Sequence, residues 1–254
     1  MRVTLLIAAL TSSVALVIPI GAKEPPAIVS PSPAAESAAA TFIPWLLQTK
    51  DELRELPFSE VIFHATGKKV LAINPADERD AHVLRQIGTA LDEVLIRMNA
   101  PDAAVQSIAR INEVSSSFEN TLRNLLNTAP GWSCDFPNTA EGRVQRSGYP
   151  DLRVIDTATK RVYYMDPKLY AAGSRDSSFR TFYFEPKVAT NKVREDAVHL
   201  IVGIEHGPRN AGHWDFTRWD IVDLSHFQVK LKAEFQGSNR DIYRPDAIVG
   251  TSAK

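Results

Sequence analysis

The chain has a single cysteine, Cys134, so no intrachain disulfide is possible, and a core of this size does not need one. It also lacks an excess of charge of either sign. With 29 Lys and Arg against 30 Asp and Glu, the formal net charge is −1, which excludes a polycation drawn to nucleic acid by bulk charge. Several catalytic signatures are missing as well. No H-E-x-x-H and no paired short-spaced Cys/His motif accompanies His199, His206, His213 and His226, so these read as surface or core histidines. There is no G-x-S-x-G or S-x-x-K, which leaves acyl-transfer chemistry without a foothold. Ala65-Thr66-Gly67-Lys68-Lys69 lacks the first glycine and the closing Ser/Thr of a phosphate loop.

The N-terminus carries a leader. Met1-Arg2 is a positive start, Val3 to Ile20 is apolar apart from a few hydroxyls and Pro19, and Ile20-Gly21-Ala22 offers small residues for cleavage. Residues 1–22 therefore read as a secretory signal cleaved near Ala22, giving a secreted or periplasmic protein with no permanent membrane span. The alternative is a protein anchored by an uncleaved signal, because the apolar run approaches spanning length. Residues 23–41 are dominated by Pro, Ala and Ser and read as a flexible tether.

Residues 42–100 read as a hairpin and helical region. The pattern predicts a hairpin over Phe58–Ile73, turning at Gly67-Lys68-Lys69, then a helix from Pro75 to Met98 with acidic residues in its first turn. Residues 101–254 read as the catalytic core. A second helix opens at Pro101 and runs to Asn127, with a stripe at Val105, Ile108, Ile111, Phe118, Leu122 and Leu125. Leu152–Asp156 and Arg161–Tyr170, rich in Val, Ile and Tyr, predict a β-hairpin. Further strands are expected at Thr181–Phe184, Leu200–Glu205 and Trp219–Leu224, with helices at Lys192–His199 and His226–Phe235. This order predicts an α/β fold with a mixed sheet. Trp132, Trp214 and Trp219 read as core anchors.

Charge is distributed unevenly. From Arg143 to Arg194 there are eleven basic and five acidic residues, leaving eighteen and twenty-five elsewhere. A basic segment in an otherwise acidic chain is what a local polyanion site needs. The expected hairpin lies inside it. With an even-numbered turn, Asp156 opposite Arg161 places Asp151 opposite Asp166, and Lys168, two residues on, shares that face. Like charges directly opposite are destabilising unless a cation lies between them, and such oxygen pairs suit Mg²⁺. A cation there, with a lysine alongside, supplies what water needs to attack a phosphodiester.

Gly148-Tyr149-Pro150-Asp151 followed by Asp166-Pro167-Lys168 resembles the PD-(D/E)xK nuclease superfamily. The resemblance covers roughly Ile111 to Leu224. It implies a restriction-endonuclease-like mixed sheet flanked by helices, here behind a mostly helical N-terminal extension. It also implies Mg²⁺, with Mn²⁺ as a substitute, held by Asp151 and Asp166, and Lys168 positioning or activating water. Many members add an acidic residue from the preceding helix. Glu119, in line with Ser115, Leu122 and Leu126, matches that place as a further metal-site residue. Glu185-Pro186-Lys187 is a second acidic-x-Lys triplet and the alternative to Asp166 and Lys168. Pro167 restricts its strand to an edge or a bulge. In Gly173–Arg180, Arg175, Ser177, Ser178 and Arg180 are candidate phosphate contacts. The expected function is an exported Mg²⁺-dependent nuclease acting on nucleic acid, with DNA as the expected partner. The alternative is an exported binding or scaffolding module that keeps the fold without turnover.

Overall fold

The computed structural model of the chain describes residues 33–49, 53–179 and 181–252, so the leader read over residues 1–22 lies outside them. The chain divides into two units, Met1–Gln48 and Thr49–Lys254. Helix α1 (Pro33–Thr49) is the described element of the first. It takes in the later part of the segment read as a flexible tether, where five alanines between Ala34 and Ala40 favour helix over extended chain. Among the described residues, no helix is long and apolar enough to cross a membrane.

In the second unit, strand β1 (Leu56–Pro57) leads directly into helix α2 (Phe58–Thr66), and strand β2 (Val70–Leu71) comes next. The hairpin expected over Phe58–Ile73 is thus a helix and a short strand. Phe58 and Ile62, four apart, are the buried pair, and Gly67 adopts φ 70° as a left-handed helix cap instead of a hairpin turn. Helix α3 (Glu78–Asn99) forms as expected, beginning at the Asp77 cap, whose side chain accepts from the amides of Arg79 and Asp80. The second helix is shorter than its pattern. Residues 104–107 and 111–113 are single 3₁₀ turns, and α4 runs only from Ser115 to Thr128. Tertiary bonds override the helical stripe: the buried Gln106 amide donates to Met98 O and accepts from the Trp214 amide.

The main sheet is mixed. Strands β3 (Trp132–Asp135), β4 (Leu152–Asp156) and β5 (Val162–Ala171) form an antiparallel meander, and β6 (Ala197–His206) lies parallel to β5. On the other edge, β6 pairs with β2 at its start and with antiparallel β7 (Phe216–Asp223) along the rest. Helices α3 and α4 cover one face. There Ile87, Leu91, Phe118 and Leu122 meet Leu152, Val154, Met165, Leu200 and Val202 in the larger core. A smaller core on the opposite face gathers Phe58, Ile62, Tyr149, Tyr164 and Val193. This is the expected α/β architecture, a mixed sheet flanked by helices.

Three expected elements take another form. Thr181–Phe184 is not a strand, because Phe182 and Phe184 turn inward against Phe58 and Tyr149 from irregular chain. Lys192–His199 is not a helix. The β-branched run that starts at Ala197 is drawn into β6, while Lys192 and Glu195 are held by bonds to other segments. His226–Phe235 contains only strand β8 (Gln228–Val229), paired with β1, because Phe227 and Val229 alternate inward against the smaller core. Asn239–Ile242 forms the last short helix, α5.

Candidate active site

The β4–β5 turn sets the site. Asp156 closes it: its carboxylate accepts from the Ala158 amide at 2.9 Å and the Thr159 hydroxyl at 2.7 Å. Lys160 takes φ 61°, and the Asp156 amide donates to Arg161 O at 3.1 Å. The loop is therefore 157–160, even in number, and the register runs Val154↔Tyr163 and Leu152↔Met165. One step further puts Asp151 opposite Asp166, as the sequence spacing predicts.

The side chains share a face. Lys168 Nζ lies 2.7 Å from Asp166 Oδ1 and 3.8 Å from Asp151 Oδ2. Asp166 is almost fully buried and Lys168 is about one-third exposed, so the cluster opens to solvent through its lysine. Pro167 is accommodated because the β4 ladder ends at Leu152↔Met165, leaving the β4 side of β5 open there while pairing with β6 continues.

Electrostatics confirm crowding. Burial, a hydrogen bond with Asp166 and the charge of Asp166 together push the Asp151 carboxyl up to about 9. At neutral pH the Asp151 carboxyl therefore keeps its proton. Burial alone would lower the Lys168 ammonium, but the charges of Asp166 and Asp151 outweigh it and raise the group above its ordinary value.

Glu119 sits on the buried side of α4, close enough for its charge to act on Asp151 and Lys168. Its carboxylate is bound by Arg146 at 2.7 Å, and Arg146 also donates to Asn120. Among the described residues, no three His, Cys, Asp or Glu side chains converge into a metal cage. Mg²⁺ takes one or two carboxylates and keeps several waters, so Asp151 and Asp166 suffice as protein ligands and Glu119 fits an outer position.

The other expected contacts are more dispersed. Arg175 is bound by Asp220 at 2.9 Å, and Asp220 also accepts from Tyr170 at 3.0 Å and Arg218 at 2.8 Å. Lys168, Gly203 and Asp220 occupy one row across β5, β6 and β7, so Arg175 docks two strands away, roughly 10 Å from Lys168 at the usual strand spacing. Ser177 accepts from the Phe179 amide at 3.2 Å, Ser178 is exposed, and Arg180 lies outside the described residues. Glu185 and Lys187 pair with each other at 2.8 Å on an exposed segment outside the strands.

Two features were not legible in the sequence. Lys192 is buried, and its ammonium donates to Gln145 O at 3.2 Å and to Gly148 O, tying down the loop before Asp151. Burial lowers its affinity for a proton, only partly offset by the charges of Asp151, Asp166 and Glu119. Tyr149 donates to or accepts from His199 Nδ1 at 2.7 Å, fixing the same loop from the other side. Neither residue belongs to a recognisable motif, and Lys192 falls in a stretch whose charge spacing imitates a helix.

A mixed sheet flanked by helices, with an acidic pair and a lysine converging at the open side of a central hairpin, defines a restriction-endonuclease-like protein. The model of the type II restriction enzyme MjaV family matches residues 51–246, and the chain belongs to that family. It is 28% identical over 214 residues to the type II restriction enzyme MjaV of Methanocaldococcus jannaschii, covering 80% of this chain and 92% of that protein.

Proposed function

We propose that the chain is a Mg²⁺-dependent endonuclease of the PD-(D/E)xK type that hydrolyses phosphodiester bonds of DNA. Membership of a restriction enzyme family supports the substrate class. The observation that carries the site is the convergence of Lys168 Nζ on both Asp166 and Asp151. Asp151 and Asp166 are the cation ligands, and Glu119, bridged to Arg146, orients water at the edge of the site. When bound, the cation supplies charge neutralisation at the scissile phosphate and a more acidic water. Lys168, kept as an ammonium by its two carboxylate neighbours, donates hydrogen bonds. It orients the attacking water against the phosphorus and offsets charge gathering on a non-bridging oxygen. The basic row of Arg175 and Arg218 around Asp220 supports a path for the strand across the sheet.

Plasmid degradation with Mg²⁺ or Mn²⁺ tests this reading, comparing wild type with Lys168→Ala and Asp166→Asn. Loss of cleavage in both variants is expected. Equal cleavage by both would keep an enzyme and discard this site, and no metal-dependent cleavage by wild type would leave a binding module. The leader at residues 1–22 supports export. A mature N-terminus at Lys23 in protein recovered from the secreted or periplasmic fraction is the expected result.

A further inference from the structure

A second feature lies beside the acidic pair. The loop after β3, the start of β4 and the segment before β6 enclose a half-open cleft of about 480 Å³, lined by Arg123, Phe136, Val144, Arg153, Arg194 and Glu195 among others. Arg153 stands two residues beyond Asp151 and shares its face, so the cleft begins roughly 7 Å along β4 from the proposed metal site. Lys192 lines it too, and its ammonium feels the charges of Asp151, Asp166 and Glu119.

The charges of the cleft are not all engaged. Glu195 is neutralised by Arg153 at 2.6 Å and receives the Tyr164 hydroxyl. Asp135 at the rim is the other acid. Against these stand Arg194, exposed at the mouth, and Arg123. The Arg123 guanidinium lies 4.8 Å from the centre of the Phe136 ring, which Arg146 also covers at 3.9 Å, and one terminal nitrogen of Arg123 donates to Asn124 at 3.2 Å, which leaves the other for a ligand. Exposed Val144 gives the same cleft an apolar side, beside the arginine-covered ring of Phe136.

We propose that this cleft is a subsite for one nucleotide unit of the substrate strand next to the cleaved bond. Arg123 and Arg194 take its phosphate, and exposed Val144 packs against its sugar. The volume suits a nucleotide, falling within the range of small-ligand clefts. Two guanidinium groups on one cleft with an exposed aliphatic side chain match a phosphodiester with its sugar better than a free metal or an acidic peptide. The subsite rests on the nuclease reading for its place along the strand, but its test does not need cleavage.

Duplex binding is measured in EDTA as a function of salt for wild type, Arg123→Gln, Arg194→Gln and the double variant, with melting curves to establish folding. The double variant is expected to bind at least tenfold more weakly, with the slope of log K against log salt reduced by about 1, the loss of one phosphate contact. Arg194→Gln, altered only at an exposed side chain, carries the test if Arg123→Gln folds poorly. An unchanged slope in folded Arg194→Gln and double variants overturns the proposal. In the second arm, inorganic phosphate and a deoxynucleoside 5′-monophosphate are titrated into wild type. If inorganic phosphate binds in the cleft while the duplex slope is unaffected by the variants, the site takes free phosphate, and the strand reading falls. If wild type never cuts DNA but its duplex slope still depends on Arg123 and Arg194, the subsite stands and the nuclease reading fails.

Discussion

Tyr149 and His199 are joined by a 2.7 Å hydrogen bond between the phenol and Nδ1, their rings stacked with centroids 5.8 Å apart. Tyr149 stands two residues before Asp151, so a β6 side chain anchors the loop that delivers the first carboxylate. The His199 ring is fully buried, and its Nε2 has no hydrogen-bond partner. Burial pushes its pKa down from 6.5 to about 3, with the charge of Asp223 pulling weakly the other way.

This arrangement predicts acid sensitivity. His199 is neutral when folded, whereas the unfolded chain binds a proton below 6.5. Its contribution is therefore complete above that pH and is lost as pH falls toward about 3, by at most about 1.4 kcal/mol per pH unit. Denaturant unfolding of His199→Leu across this window should show a shallower pH dependence than wild type. An identical slope would mean that His199 is not the buried neutral base described.

The acidic pair predicts a trade between stability and activity. For a carboxyl raised from 3.8 to about 9, the contribution to stability is present below the unfolded value and falls as pH rises toward 9. Asp151→Asn keeps a neutral hydrogen-bond donor to Asp166 without that penalty. In metal-free buffer its melting temperature should therefore equal wild type near pH 4 and exceed it near pH 9. Cleavage and Mg²⁺-induced stabilisation should both be lost. A variant that still gained stability from Mg²⁺ would remove Asp151 from the metal site.

Lys168→Ala should lower the cleavage rate by roughly 10²–10³, the cost of removing one donor aimed at developing charge. Lys168→Arg keeps the charge but not the point geometry, and should recover only part of that rate. Single-turnover cleavage at saturating Mg²⁺ measures both. Full activity in Lys168→Ala would leave the lysine a structural counter-ion.

Gly203 predicts a more distant effect. A Cβ there would come within 3.3 Å of the Tyr170 ring, which crosses Gly203 to reach Asp220 at 3.0 Å. Gly203→Ala should lower stability by about 1–3 kcal/mol and loosen the Asp220 cluster that holds Arg175. Duplex affinity should fall while Mg²⁺-induced stabilisation stays. Unchanged melting and unchanged duplex affinity would show that the ring contact carries no energy.

Much of the site was legible because its determinants are local. Asp156, the loop 157–160 and the alternating pattern on either side fix the register, and period-two geometry then carries Asp166 and Lys168 to one face. Helix α3 was legible for the same reason, through the Asp77 cap and its apolar spacing. Glu119 could be selected over Glu113 because helical periodicity sets it beside Phe118 and Leu122.

The remaining features depend on distant segments. Strand β3, too short to announce itself, exists because β4 offers it an edge. The stretch around Lys192 has helical charge spacing, but Arg153 and the carbonyls of Gln145 and Gly148 take up its polar groups, and β6 takes up the residues from Ala197 onward. By itself the sequence determined the acidic hairpin, its register and the lysine beside it, since turn chemistry and side-chain alternation act over a few residues. Only the tertiary structure decided that Lys192 is buried, that His199 anchors Tyr149 and that Arg123 borders a cleft, because burial and partner choice are set by chain segments tens of residues apart.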